Sequence, residues 1–324
     1  MKTVSQRAAA LPRSGIRLIH DLAKGPDVLH LEIGQPDFST PTHIVEAAHA
    51  AARAGMTRYT PNAGLASLRE AIAEKVEREN LIPAAPDRIV VTMGAMQGLY
   101  ASLLAILEPG DEVLVPDPGY PNYGMAISLC GARPIPYPLR PQAGFQPDTE
   151  AIPALIGDRT KAIMINSPSN PTGNVISREC MARMAEIAER FDLYVISDEC
   201  YEKILFAGSH VSPASMGDPE RFFTVNSFSK TYAMTGWRVG YVVAPPRLAP
   251  TVVKLQEPVV ACACSVSQAA PSPRVLKFAG LEVFLCRFTR QPRRWLIASN
   301  VDTRSGLTLR SSPSGTAGAR SASQ

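Results

Sequence analysis

From Arg88 onward, short apolar runs alternate with longer amphipathic ones. The order is IVVTMG, AMQGLYASLLAIL, EVLVP, a helical stretch over 122–129, ARPIPYP, a helical stretch over 149–156, KAIMIN, a helical stretch over 177–190, and LYVISD. The runs that read as strands are apolar at successive positions, so both of their faces are covered. This alternation predicts an α/β fold: a mainly parallel sheet with helices on each side, in three layers α/β/α. Upstream, the pattern predicts a short strand over 29–33 entering the turn GQPDFSTP. A helix starting near Ser39, Thr40 and Pro41 follows, then a loop RYTPNAG, then a helix LASLREAIAEKVEREN with Leu65, Leu68, Ile72 and Val76 at helical spacing. Downstream, VGYVVA reads as another apolar strand. The longest apolar run, Leu99 to Leu107, is too short to span a membrane and reads as the buried face of a helix.

Ligands of such sheets lie beyond the carboxyl ends of the strands, and the chemically unusual residues of this chain fall there. Gly94-Ala95-Met96-Gln97 follows a strand and opens a helix, so free N–H groups would face an anion; a glycine as simple punctuation is the alternative. In DPGYPNY, Tyr120 could lay its ring on a flat heteroaromatic ligand or pack on its own prolines. In NSPSNPTGNV, Asn170 sits in a rigid polar loop, and its amide can donate to a phenolate oxygen. Asp198, at the mouth of a buried strand, needs a partner: a protonated pyridine nitrogen would serve, although an aspartate capping a helix is also possible. Tyr201 follows three residues on.

The stretch NSFSKTYAMTGWRVGYVVAPP, from Asn226, sets Lys230 among Ser227, Ser229 and, eight residues on, Arg238. A lysine amine forms a Schiff base with an aldehyde, and burial or neighbouring cations make it nucleophilic at neutral pH. The hydroxyls and the guanidinium fork suit a phosphate dianion, and Gly236 reads as the turn before Trp237. Taken alone, the stretch would read as a solvated lysine in a Ser/Thr-rich turn, and it is the motifs upstream that reverse this reading.

Composition narrows the partners. With 324 residues and 45% hydrophobic content the chain can build a sizeable core, and a net charge of +4 argues for neither nucleic acid nor a membrane surface. The six cysteines (130, 180, 200, 262, 264 and 286) show no metal-ligand spacing, and the N-terminus has no continuous apolar signal region. A reduced, cytoplasmic chain without a structural metal is expected.

In this order the glycine turn, the stacking tyrosine, N-P-T-G, D-x-x-Y and S-x-S-K with a later arginine resemble the class I and II aminotransferases, pyridoxal-phosphate enzymes of fold type I. The resemblance runs from about Leu29 to about Gln268. It implies that Lys230 holds pyridoxal 5'-phosphate as a Schiff base and later moves the substrate's α-proton. It implies that Asp198 pairs with the ring nitrogen, that Asn170 and Tyr201 bond the phenolate oxygen, and that Tyr120 stacks on the ring. Ala95 and Met96 N–H groups, Ser227 and Arg238 would hold the phosphate. Tyr59 would reach the phosphate of a neighbouring subunit in a homodimer, and Gly34 would lie near the substrate carboxylate. The implied substrates are an amino acid and a 2-oxo acid, with no nucleic acid or membrane partner. A lyase or decarboxylase of the same fold, or a coenzyme-binding chain with little turnover, would carry the same motifs.

The expected organisation is an N-terminal segment of a small domain (1–40), a coenzyme-binding large domain (41–268) and an atypical tail (269–324). After Pro271 the text leaves the family pattern: eight Arg and eight Ser stand against one Glu and one Asp, without sustained periodicity. A shifted reading frame or truncated gene, an incomplete small domain and a largely disordered tail are the expectation. Arg293 and Arg294 match no carboxylate clamp, which is assigned to no residue.

Overall fold

Side chains along each central strand divide by parity. The structure, a computed structural model, describes residues 2–25, 28 and 30–271, all within one compact unit. In strand β4 (Thr160–Asn166), Ile163 and Ile165 enter one apolar core while Ala162 and Met164 enter another. The same division separates Ile89 and Val91 from Val90 in β1 (Ile89–Thr92), and Tyr241 and Val243 from Val242 in β7 (Gly240–Val243). Two cores on opposite faces of one sheet make the three layers expected from the alternation.

The seven strands are β1, β2 (Glu112–Asp117), β3 (Arg133–Pro138), β4, β5 (Tyr194–Asp198), β6 (Phe222–Ser227) and β7, in the order β1-β7-β6-β5-β4-β2-β3. From β3 to β6 every pairing is parallel, and β7 runs antiparallel to both β6 and β1. The described helices are α1 (Gln6–Ala10), α2 (Gly15–Leu22), α3 (Thr42–Arg53), α4 (Ala66–Asn80), α5 (Gly94–Ile106), α6 (Asn122–Leu129), α7 (Arg178–Arg190), α8 (Phe228–Thr231), α9 (Ala249–Val260) and α10 (Ser265–Ala269). Residues of α3, α4 and α7 enter the first core; those of α5, α6 and α9 enter the second. Helix α5 lies so close to the sheet that a Cβ on Gly98 would stand 2.8 Å from Val242 Cγ2.

Three local expectations fail. The described residues of 29–33 form no strand. The stretch 149–156 holds only a single 3-10 turn, Ile152–Leu155, because Pro153 removes a backbone donor from a segment too short to nucleate a helix. The turn before β7 is made by Ala233 and Arg238, both at φ +51°, and not by Gly236. The tail residues from Ser272 on, Arg293 and Arg294 included, lie outside the described residues.

Candidate active site

Five strands that point the same way deliver their carboxyl ends to one edge. β1 leads into Gly94, β2 into Tyr120, β4 into Asn170, β5 ends on Asp198, and β6 ends on Ser227, three residues before Lys230. Strand β7 runs the other way, and its register pairs Gly240 with both Ser227 and Thr92. Its start therefore brings Arg238 to the same edge. The antiparallel strand is what lets a residue eight positions after the lysine return to the lysine's own turn.

At one end of this edge, Asp198 is buried at 6% exposure. Its Oδ2 accepts a hydrogen bond from Tyr123 Oη at 2.8 Å, and its Oδ1 accepts from the Cys200 N–H at 3.2 Å. Burial holds this carboxyl above the usual range, against the pull of the Cys200 thiol and of those two donors. No lysine, arginine or histidine among the described residues forms an ion pair with it. A buried carboxylate with neutral donors alone is chemically suited to a cationic hydrogen-bond donor. Beside it, Tyr123 meets the Tyr120 ring edge to face, with centroids 5.5 Å apart, and the Asn170 side chain donates to the Tyr201 hydroxyl. The backbone of Asn170 is fixed by its N–H to Asn166 Oδ1 at 2.7 Å, and Asn166 Nδ2 also donates to the Asp198 carbonyl at 3.0 Å.

Lys230 stands between the two ends. Its Nζ donates to the Gly34 carbonyl and lies 5.6 Å from the centroid of the Tyr201 ring. Burial, reinforced by Arg238, holds the amine below the usual lysine value, while Cys200 and Asp198 pull it back up. The segment that carries Gly34 is tied down by Thr40, whose Oγ1 donates to the Ala233 carbonyl at 2.6 Å and accepts from Trp237 Nε1 at 3.0 Å.

The other end is shaped by missing side chains. Gly94, at φ +73°, has no Cβ; one there would lie 2.4 Å from Arg238 Nη2. A Cβ on Gly240 would lie 2.7 Å from the Asn226 carbonyl oxygen and 3.0 Å from the Ala95 nitrogen. The backbones of β6, β7 and the first turn of α5 therefore meet in close contact. That turn offers the Ala95 and Met96 N–H groups, which have no acceptor one turn back. Ser227 Oγ accepts from the Ser229 N–H at 3.0 Å and donates to Ser229 Oγ at 2.7 Å, while Arg238 Nη1 donates to the Thr235 carbonyl at 2.9 Å.

Ten of the eleven residues singled out from the sequence come to this edge: Gly34, Ala95, Met96, Tyr120, Asn170, Asp198, Tyr201, Ser227, Lys230 and Arg238. Tyr59 does not join them by any hydrogen bond and is 90% exposed. Sequence reasoning missed Tyr123 and Gly240. Tyr123 carried a signal, since it follows Tyr120 by three residues at the start of a helix and so shares its face. Gly240 carried one too, a glycine opening an apolar strand.

The model of the family described as aminotransferase class I and II matches residues 26–273. The chain belongs to this family. Among its relatives, the "Probable aspartate/prephenate aminotransferase" of Thermus aquaticus is 42% identical over 250 residues, which cover 76% of this chain and 65% of the relative. The protein of the same description from Aquifex aeolicus is 46% identical over 236 residues, 72% of this chain and 60% of the relative. The chain thus spans less than two thirds of either curated relative. Among solved structures, aspartate aminotransferase from Thermus thermophilus with maleate superposes with a TM-score of 0.82 at 36% identity, over 86% of this chain and 76% of that one. The match ends within three residues of the point where the sequence leaves the family pattern.

Class I and II aminotransferases use pyridoxal phosphate, and the residues present fit it. Asp198 is a buried carboxylate with no ion pair among the described residues, which suits a ring N–H. The Gly94 and Gly240 positions leave a cradle that a Cβ would fill, next to Ser227 and Arg238. Lys230 offers an amine held toward its neutral form. Ala95, Met96, Ser227 and Arg238 would hold the phosphate, Tyr120 the ring face, and Asn170 and Tyr201 the phenolate oxygen.

Proposed function

We propose that this chain is a pyridoxal-phosphate-dependent aminotransferase that moves an amino group between an amino acid and a 2-oxo acid. The observation that carries the reading is Lys230: an amine of depressed basicity, flanked by the Tyr201 ring and the Gly34 carbonyl, between a cation-seeking carboxylate and an anion-seeking cradle. When bound, the coenzyme supplies an aldehyde that takes up the amino group and a ring that accepts electrons from the substrate's α-carbon. Lys230 anchors it covalently. The Lys230 Nζ would take the substrate's α-proton and return it, which requires it to be neutral at working pH. Asp198 keeps the ring nitrogen protonated. Tyr120 and the cradle fix the plane of the ring, so that the α-carbon bond to be broken stays aligned. Gly34 lies on the substrate side of Lys230, next to where the carboxylate would lie.

The names of relatives span aspartate, prephenate and arginine–pyruvate, and one similar structure is an aromatic aminotransferase. What these donors share is the α-amino carboxylate, and that is the substrate class proposed. The exposed Tyr59 supports a homodimer in which it serves the neighbouring site. Residues 41–268 form the coenzyme domain in this reading, and 1–40 a part of the small domain. No described helix is long and apolar enough to cross a membrane, and a cytoplasmic location is proposed.

The test is an absorbance spectrum of the purified chain with pyridoxal phosphate, before and after a panel of amino acids, with Lys230→Ala as control. A lysine-dependent band that donors convert to the amine form of the coenzyme supports the reading. A band that ignores every donor leaves a coenzyme-binding chain without transamination, and no band at all refutes both.

A further inference from the structure

Behind the turn that carries Asp198 and Tyr201 lies a buried polar cluster with no part in the chemistry above. Glu199 is fully buried and accepts four hydrogen bonds. Ser197 Oγ at 2.9 Å and Ser212 Oγ at 2.7 Å reach its Oε1; Asn80 Nδ2 at 3.3 Å and His210 Nε2 at 2.9 Å reach its Oε2. Glu202, 5% exposed, pairs with Lys75 Nζ and accepts from Asn80 Nδ2 at 2.8 Å. Lys75 Nζ also donates to Asn80 Oδ1 at 2.8 Å. The ligand atoms of Glu199, Glu202 and His210 lie within 4.8 Å of one another, but Lys75 already supplies the cation that a metal would bring.

Two carboxylates are buried here, and Lys75 balances one. Among the described residues, the ion pair open to the other, Glu199, is with a protonated His210, whose Nδ1 is buried with no hydrogen-bond partner. With a neutral imidazole the cluster keeps a full negative charge in the interior, one residue from Asp198, whose own ionisation Glu199 opposes. We propose that His210 is a positioning residue: as an imidazolium it closes a charge-neutral set with Lys75, Glu199 and Glu202, shields Asp198 from Glu199, and so keeps Asp198 ionised for the coenzyme ring. The last clause rests on the coenzyme reading above; the charge arrangement does not. The ionisable groups facing His210 are Glu199 at the end of β5, Glu202 in the following turn and Lys75 on α4. Burial works against its proton, the two glutamates outweigh burial, and Lys75 opposes them, so the imidazole stays charged above its ordinary value.

The experiment needs no coenzyme. The full chain, labelled with carboxyl-13C aspartate, is titrated by NMR, with Asp198→Asn assigning the Asp198 signal. His210→Gln removes the charge and keeps a donor toward Glu199, while Ser212→Ala removes an uncharged donor to the same carboxylate. The expected result is an Asp198 midpoint raised by about half a pH unit in His210→Gln and unmoved in Ser212→Ala. An unmoved midpoint in His210→Gln, or equal shifts in both variants, overturns the proposal. If His210→Gln does not fold, the wild-type imidazole signals decide: a His210 that is already neutral at pH 6.5 overturns it, and one that stays charged well above that pH upholds the charge-neutral set. A separate titration of the coenzyme absorbance band bears only on the proposed function.

Discussion

The carboxyl ends of β5 and β6 are neighbours in the sheet, yet they are built from opposite materials. β5 ends in a carboxylate, and behind it the chain packs Lys75, Glu199, Glu202 and His210 with almost no exposure. β6 ends in hydroxyls and the reactive amine, and against it lie two glycines, a helix start and one arginine. In the proposed function, the difference follows from what each end would meet. A carboxylate held for a cation has to be kept ionised in a dry place, and only compensating charge does that. A phosphate is met by N–H groups and a guanidinium fork, and what these need is room for close approach. One end is therefore sensitive to charge and the other to volume.

The seam between the two ends is Lys230, and its removal gives the largest effect. Lys230→Ala is expected to abolish the coenzyme absorbance band and to lower transamination at least about 10³-fold, with the urea midpoint little changed, since the side chain is only half buried. Normal turnover in this variant would remove the lysine from the mechanism.

Next comes the charged end. Lys75→Met leaves Glu202 buried without its cation and is expected to cost about 3–5 kcal/mol of stability, read as the shift in urea unfolding. The comparison sharpens with the double variant Lys75→Met/Glu202→Leu, which removes both charges and should recover most of that loss. A double variant no better than the single one would mean that packing, not charge, holds the turn.

The glycine end should respond to size alone. Gly240→Ala forces a methyl group against the Asn226 carbonyl and the first turn of α5, at 2.7–3.0 Å, where only backbone can give way. The expected loss is about 2 kcal/mol, with coenzyme affinity falling at least tenfold because the same shift disturbs the Ala95 and Met96 amides. A binding titration followed by absorbance checks it, and unaltered affinity would separate the cradle from the phosphate site.

The same contrast explains what could be read from the sequence. Alternating apolar runs exposed the three layers, and strand ends carrying Asp198, Asn170 and Lys230 stood out because charged or amide groups are rare at the mouths of buried strands. The strand β6 escaped notice: FFTVNS turns polar at its end and merges into the lysine turn. The spacing of Tyr123 from Tyr120 marked it as a neighbour of that ring but not as a partner of Asp198, because a tyrosine on an apolar helix face reads as core until the strand opposite is known. The Lys75–Glu202 pair joins residues 127 apart, and nothing local in α4 marks its lysine as buried. Gly240 matters only through two other segments that press on it. The legible parts of the site are those whose chemistry is local; the illegible parts depend on which strands become neighbours.

The smallest effect tests the charged end by pH. His210 holds its proton above the ordinary histidine value in the folded chain, so its contribution to stability is fully present below pH about 6.5 and is lost as pH rises through the folded value. Lys230 works in the opposite sense: folding depresses its basicity, so stability rises with pH once the folded amine begins to lose its proton and stops rising when the unfolded lysine has lost its own. The two are separated by difference. Urea midpoints of the wild type and His210→Gln, measured from pH 6 to pH 9, should converge as pH rises, with a slope between them of at most one proton, about 1.4 kcal/mol per pH unit. The Lys230 contribution is common to both chains and cancels. Parallel curves would mean that folding leaves the proton affinity of His210 unchanged, and above the ordinary histidine value the buried charge of Glu199 would have to be met by its hydroxyl and amide donors alone.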